Sequence, residues 1–338
     1  MTRNFRTVAK TASISRDGST NAARGMYQST NMTAANITRT RNMTEDFKIM
    51  AKKIRRKWAD YYDLPEIKKI RKQILENYSN KLQFVEETHQ YFLDGVEYTC
   101  VSDIVKRWEA ADRESMLEGC AKKAQWKKDY KYYGMTKDEI RDLWDKSAKE
   151  ACDFGTLVHG FGESMFYWMI GEDDKILPEY KEQFAGDEPV AKNKHEEAVI
   201  QFWKDIPDCF VPVLAETKVF NQDGTPYAGT FDILFYYYKG KNDPRNGLVI
   251  FDYKTNNSLT SDYCRDKGKM MKPPFDNLVD ENLSHYTAQL GLYQIPIEHL
   301  GLKVIGRRLI WLQDDGSYEK IKLDNVTDKL KFALFIKN

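Results

Sequence analysis

The sequence is poor in the features that would commit it to an extracellular, membrane or zinc-ribbon class. Its five cysteines, Cys100, Cys120, Cys152, Cys209 and Cys264, are odd in number and scattered, with no CxxC pair and no zinc-ligand spacing. A disulfide framework is excluded on that count, and a reduced, intracellular chain is expected. No run approaches the roughly 18 apolar residues of a membrane helix, and the first residues lack the apolar core of a secretory signal. Neither membrane attachment nor export is expected. Net charge is nearly absent as well: 52 Lys and Arg face 51 Asp and Glu, a formal +1 over 338 residues. Global charge therefore names no partner. Acids and aromatics are locally scarce in residues 1–44, which hold seven basic residues against Asp17 alone, with Phe5 and Tyr27 the only rings. Such a segment buries too little apolar surface to fold by itself.

What is present divides the chain into three parts. Residues 1–44 are a basic arm, disordered or ordered on a partner, whose arginines either meet nucleic-acid phosphates or stay solvated. Residues 45–80 are a basic helical extension, with Thr44 as N-cap. Lys52, Lys53, Arg55, Arg56 and Lys57, then Lys68, Lys69, Arg71 and Lys72, form a helical pair interrupted at Pro65. Residues 81–338 are the main domain. Short strands are expected over 84–86, 91–93 and 96–98, the last two joined by Asp94-Gly95. Ser102 is then expected to cap a helix carrying Ile104, Val105 and Trp108. The charged stretch 109–150, with Trp126, Tyr130, Tyr132, Tyr133 and Trp144 interleaved, suits amphipathic helices on a core. A helix over 155–163 places His159 and Glu163 on one face, and another covers 195–206. A strand over 211–220 follows. The polar connection 255–283 is long enough to be functional, and its Lys267, Lys269 and Lys272 are candidate substrate contacts. A helix from 284 puts Gln289 and Tyr293 on one face, and Pro296 is expected to kink or end it. A hairpin over 303–312 and 318–323 completes the sheet.

The chemistry concentrates in the two aromatic-rich strands 231–238 and 248–253. Side-chain alternation puts Asp252 and Lys254 on one face with Tyr253 on the other, and strand pairing can bring Asp232 alongside. A carboxylate in an apolar run costs free energy unless paired, and two like charges together cost more. A divalent cation with an ammonium beside it satisfies both carboxylates. Two solvated strand ends joined by a salt bridge are the plainer alternative.

In chain order the candidates are His159 in a helix, Glu216 in a strand, Gly229-x-x-Asp232 in the next, Asp252-x-Lys254 in the third and Gln289-x-x-x-Tyr293 in a helix. Over residues 84–323 this series resembles the PD-(D/E)XK nuclease superfamily, nearest its RecB-like and phage exonuclease branch. The resemblance implies an α/β (α+β) fold: a restriction-endonuclease-like core whose central mixed β-sheet, with antiparallel hairpins, is flanked by helices. It implies a metal-dependent nuclease acting on DNA, an exonuclease more than an endonuclease, in phage recombination, replication or genome processing in the host cytoplasm. Mg2+ or Mn2+ would be held by His159, Asp232, Asp252 and the Tyr253 carbonyl. Glu216 is either a further ligand or an exposed strand carboxylate. Lys254 would position or deprotonate the attacking water, Gln289 would orient Lys254 or that water, and Tyr293 would contact a substrate phosphate. Glu163 would support His159. Asp252 stands where the family more often has Glu, and only Cys264 follows Lys254, so no iron–sulfur cluster is expected. The arm could bind a recombination or virion protein. Two other functions remain open: a virion-associated or DNA-binding structural protein on the same scaffold, and an endonuclease that resolves junctions or cleaves RNA.

Overall fold

The computed structural model describes residues 57–110 and 113–335, so the expectations for the arm, the Thr44 cap and Lys52 to Arg56 lie outside the described residues. Eight strands form one mixed sheet. Strands β1 (Leu82–Val85), β2 (Gln90–Leu93) and β3 (Val96–Cys100) make an antiparallel meander. Asp94 and Gly95, at φ +51° and +78°, supply its tight turn. Strands β4 (Phe210–Asn221), β5 (Tyr227–Tyr237) and β6 (Gly247–Lys254) are antiparallel neighbours. Strand β7 (Val304–Leu312) runs parallel to β6, and β8 (Tyr318–Lys322) returns antiparallel at the edge. The near-continuous burial of β4 to β6 explains their apolar runs: helices cover both faces.

One feature of the sheet positions the site. Strand β4 pairs with β5 along its length, so β3 and β6 must share the other edge. Strand β3 pairs only at Tyr227 and Ala228, and β6 pairs only from Ile233 onward. Between them the edge at residues 229–232 is open.

Helices α1 (Ala59–Tyr62) and α2 (Pro65–Ile74) meet at Pro65, which begins the second helix because its fixed φ and missing N–H suit the first turn. Ile67, Ile70 and Ile74 are buried in the main core, while Lys68, Lys69 and Lys72 face solvent. The stretch from Trp58 to Tyr78 thus shares the core with the sheet, and Trp58 packs edge-on against Trp203 at 5.8 Å. Helix α3 (Val101–Lys106) is not capped by Ser102 as expected: Cys100 holds the N-cap position, and the Ser102 hydroxyl, inside the first turn, donates to its Sγ at 3.3 Å.

Helix α4 (Arg113–Ala124) and the start of α5 (Lys137–Ile170) enclose a second, small core of Leu117, Ala121, Ala124, Tyr132 and Ile140. The helix expected over 155–163 is part of α5, 34 residues long, opened by a Thr136–Glu139 capping box and closed by Gly171 in the left-handed region. Glycine inside a helix costs about 1 kcal/mol relative to alanine. Gly162 is explained by close approach, since a β-carbon there would lie 2.6 Å from the Tyr253 ring.

Helices α6 (Lys194–Asp205), α7 (Asp262–Asp266), α8 (Asn282–His299) and α9 (Thr327–Phe335) complete the fold. Pro296 does not end helix α8, which continues to His299. The missing proline N–H would have bonded to the Leu292 carbonyl. Instead the Tyr227 hydroxyl donates to that carbonyl at 2.8 Å, and Tyr78 donates to the Pro296 carbonyl at 2.6 Å. No helix among the described residues is long and apolar enough to cross a membrane.

Candidate metal centre

Asp232 lies at the end of the open edge, just before β5 and β6 begin to pair. Its Oδ2 accepts from the Tyr253 N–H at 2.6 Å, so a side chain replaces the next rung of the ladder. Alternation along β6 then acts as expected. Tyr253 points into the core, where its hydroxyl accepts from Trp203 Nε1 at 2.9 Å, and Lys254 Nζ forms an ion pair with Asp252 Oδ2.

Two further elements bring ligands to Asp232. From α5, His159 Nδ1 lies 3.4 Å from Asp232 Oδ2 and 3.9 Å from Glu216 Oε1. On β4, Ala215 pairs with Ile233 and Thr217 with Phe231, which sets Glu216 across from Asp232. Glu216 has φ +40°, a left-handed conformation that is uncommon for a residue with a side chain and costs about 1–3 kcal/mol. That strain sits at a strand position facing other charged groups, His159 and Asp232 among them. Candidate donor atoms of His159, Glu216 and Asp232 all lie within 4.8 Å of one another.

The electrostatics show what the cluster needs. Burial pushes the Glu216 carboxyl well above its ordinary pKa, and the Asp232, Glu163 and Asp252 carboxylates add to it. Burial and Asp232 raise Asp252 to about 6, against the pull of Lys254. Burial would raise Asp232 too, but His159 and Lys254 outweigh it and hold its pKa low. Burial acts to lower His159, and Asp232 overcomes this and leaves the ring above its usual value. Lys254 is raised in the same way, with Asp252 overcoming burial. Four carboxylates, counting Glu163, therefore face two cationic groups. One imidazole nitrogen with carboxylate oxygens is a donor set that fits Mg2+ or, with the nitrogen, Mn2+.

Several expected residues stand differently. Asp252 is paired with Lys254 and lies outside the group of three, whereas Glu216 is inside it. Glu163 hydrogen-bonds with Tyr167 and its charge adds to that around Glu216, while the ion-pair partners of His159 are Asp232 and Glu216, so Glu163 does not brace the imidazole. Gln289 donates to the Tyr293 hydroxyl at 3.0 Å, and among the described residues it neither accepts from Lys254 nor donates to Asp252. Tyr293 is 4% exposed and packs where a β-carbon on Gly229 would lie 2.8 Å from its ring. The Gly229 of the Gly-x-x-Asp run thus makes room for this tyrosine, which is held in the core away from solvent. Among the described residues, Lys267, Lys269 and Lys272 make no hydrogen bond or ion pair to the His159 group. Lys269 lies over the Tyr263 ring at 4.9 Å, and the Lys272 N–H donates to the Trp108 carbonyl at 2.7 Å.

Sequence reasoning missed Tyr286. Its ring lies 4.5 Å from Lys254 Nζ, and its hydroxyl donates to Asn256 Oδ1 at 2.6 Å. The available signal was its position three residues before Gln289, on the same helical face. The fold and the site together define a mixed α/β chain with a candidate divalent-cation centre at an open sheet edge. A scan against protein-family models found no match, and a search of curated proteins found none.

Proposed function

We propose that the chain is a metal-dependent nuclease that hydrolyses DNA phosphodiester bonds, an exonuclease before an endonuclease. The observation that carries this reading is the convergence of one imidazole and two carboxylates within 4.8 Å, beside the Lys254 ammonium on the adjacent strand. His159, Glu216 and Asp232 would hold Mg2+ or Mn2+, with Asp252 next to them. A divalent cation bound there supplies Lewis-acid polarisation of the phosphate and lowers the pKa of water.

The side chains supply position and charge. Hydrolysis forms one bond from water oxygen to phosphorus and breaks one ester P–O bond. One water proton ends on the leaving oxygen, and the other is lost as the new phosphomonoester ionises. Lys254, its pKa raised by Asp252 and Asp232, is an ammonium at neutral pH. It therefore suits offsetting phosphate charge and orienting the water better than abstracting a proton. The Tyr286 ring lies against its Nζ, and Asp232 ties the site to the β6 backbone through the Tyr253 amide. On this reading DNA is the partner, residues 1–44 are a second contact to nucleic acid or to a recombination or virion protein, and the site of action is the cytoplasm of a phage-infected host.

The test is a cleavage panel on end-labelled linear single- and double-stranded DNA and on circular DNA, with Mg2+, Mn2+ or EDTA. Linear DNA should release mononucleotides, and EDTA, Lys254→Ala and Asp232→Asn should each abolish this. Nicking of circles would favour the endonuclease. Wild-type protein that leaves every substrate intact with every metal would overturn the proposal in favour of a DNA-binding structural protein.

A further inference from the structure

The small core of α4 and α5 carries a surface that the metal centre does not use. Around it, residues 122–133 place Lys122, Lys123, Lys127, Lys128 and Lys131 among rings, with Asp129 the one acid in that stretch. Glu118 and Asp129 neutralise part of this charge, pairing at 3.6 Å with Lys122 and Lys127, and a basic excess remains. Trp126 is 71% exposed and Tyr133 47% exposed, although the interior beneath them is closed by Tyr132, whose hydroxyl accepts from Trp144 Nε1 at 2.7 Å. Exposing a tryptophan that far forfeits its burial, roughly 2 kcal/mol, so folding of this unit does not account for it. The lysines are poised over rings: Lys123 lies 4.3 Å from the Tyr130 centroid and Lys131 4.5 Å from that of Tyr132.

A third exposed ring lies on α7. Tyr263, 61% exposed on α7, is near enough to Tyr130 to share its electrostatic environment, and Lys269 lies over the Tyr263 ring. Of the three lysines expected as substrate contacts, Lys269 is the one set against this ring. The segment that precedes α4 is tied to the 272–280 loop: the Ala110 N–H donates to Asp280 Oδ2 at 2.9 Å, and Trp108 packs on Phe275 at 4.8 Å in the main core. Trp144 and His159 lie 15 positions apart on α5, which puts the base of the unit about 22 Å along the helix from the imidazole.

We propose that this basic and aromatic surface, centred on Trp126, binds single-stranded nucleic acid, with Trp126 stacking on an unpaired base and the surrounding lysines holding the phosphates. Charge complementarity selects a polyanion, and the exposed indole face selects a strand whose bases are unstacked, which a duplex does not offer. The proposal deepens the nuclease reading by naming the substrate form, and it is tested without catalysis. Binding of a fluorescein-labelled oligothymidylate of roughly 20 residues and of a hairpin duplex of matching length is measured by anisotropy in EDTA, with full-length protein. Trp126→Ala should weaken oligothymidylate binding roughly 5- to 100-fold and leave the hairpin nearly unchanged, while Trp126→Phe should retain most of the binding. Joint Lys128→Glu and Lys131→Glu should flatten the dependence of log affinity on log salt by about 1 to 2. Unchanged melting temperatures would certify the folds. The proposal fails if Trp126→Ala binds oligothymidylate like wild type, if it weakens both ligands equally, or if polyglutamate of similar length competes as well as oligothymidylate. Tight, Trp126-dependent binding by a protein that cleaves nothing would support this inference while sinking the nuclease reading, so the two failures are distinguishable.

Discussion

Replacing Gly162 by alanine should lift helix α5 off the sheet without touching a candidate ligand. The added carbon would lie 2.6 Å from Tyr253 Cε2 and 3.2 Å from two more ring atoms, where ordinary contact begins at 3.4 Å. The ring has little freedom to yield, since it is buried, bonded through its hydroxyl to Trp203, and fixed in β6 between Asp252 and Lys254. The helix must therefore move by about 1 Å, the shortfall from ordinary contact, and His159, three residues earlier, moves with it. Overpacking costs about 1–3 kcal/mol, and the better helix propensity of alanine returns about 1 kcal/mol. A net loss of about 0–2 kcal/mol, or roughly 0–8 °C in Tm for a domain of this size, is expected by calorimetry. Metal affinity is the sharper readout. Displaced groups that orient a ligand cost about 10- to 100-fold in affinity, so Mn2+ titration followed by electron paramagnetic resonance should show a drop of that order. Gly119→Ala is the control, at a helical position with nothing within 4 Å. Wild-type Mn2+ affinity in Gly162→Ala would refute the argument that the seating of α5 on Tyr253 sets the position of His159.

Three further outcomes are expected. Because Glu216 and Asp252 are held above the ordinary carboxylate range, the latter at about 6, cation binding must expel protons. Affinity for Mn2+ should then rise from about pH 5 to about pH 8 with measurable proton release, and a pH-independent affinity would contradict these assignments. Tyr286→Leu removes the ring facing Lys254 and should lower kcat about 2- to 30-fold, the worth of a cation–π contact, whereas Tyr286→Phe should stay near wild type; equal losses would place the effect in the hydroxyl. Tyr227→Phe should strand the Leu292 carbonyl and cost about 1–2 kcal/mol in urea unfolding. In a Pro296→Ala background, where a backbone N–H can take that carbonyl, the cost should shrink by half or more; equal costs in both backgrounds would rule out the repair of α8 by tyrosine.

Local pattern made the central hairpin legible. Asp232, Asp252 and Lys254 stand out as charges inside apolar runs, and alternation alone assigns Tyr253 to the opposite face. The helix observed at Lys194–Asp205 falls within a residue of the sequence reading for the same reason. The rest depended on partners distant in the chain. The open edge of β5 exists because Cys100 pairs with Ala228 while β6 takes the other end, and nothing in either strand states that choice. The positive φ of Glu216 carries no local signal, because glutamate is not a residue that marks left-handed backbone. Pro296 reads as a helix breaker until Tyr78 and Tyr227, 218 and 69 positions away from it, are seen to satisfy the carbonyls it disturbs. Tyr293, which the resemblance casts as a phosphate contact, is instead admitted to the core by Gly229.

Helix α5 has one more consequence. Ile140, in the outlying core, and His159, in the candidate metal site, belong to a single uninterrupted helix, about 28 Å apart along its axis. A rod of that length turns angle into displacement: a tilt of about 2° pivoting at one end moves the other by about 1 Å, comparable to the gap between a good and a poor ligand distance. Any tilt imposed at the far core would therefore reach the imidazole as a change of position.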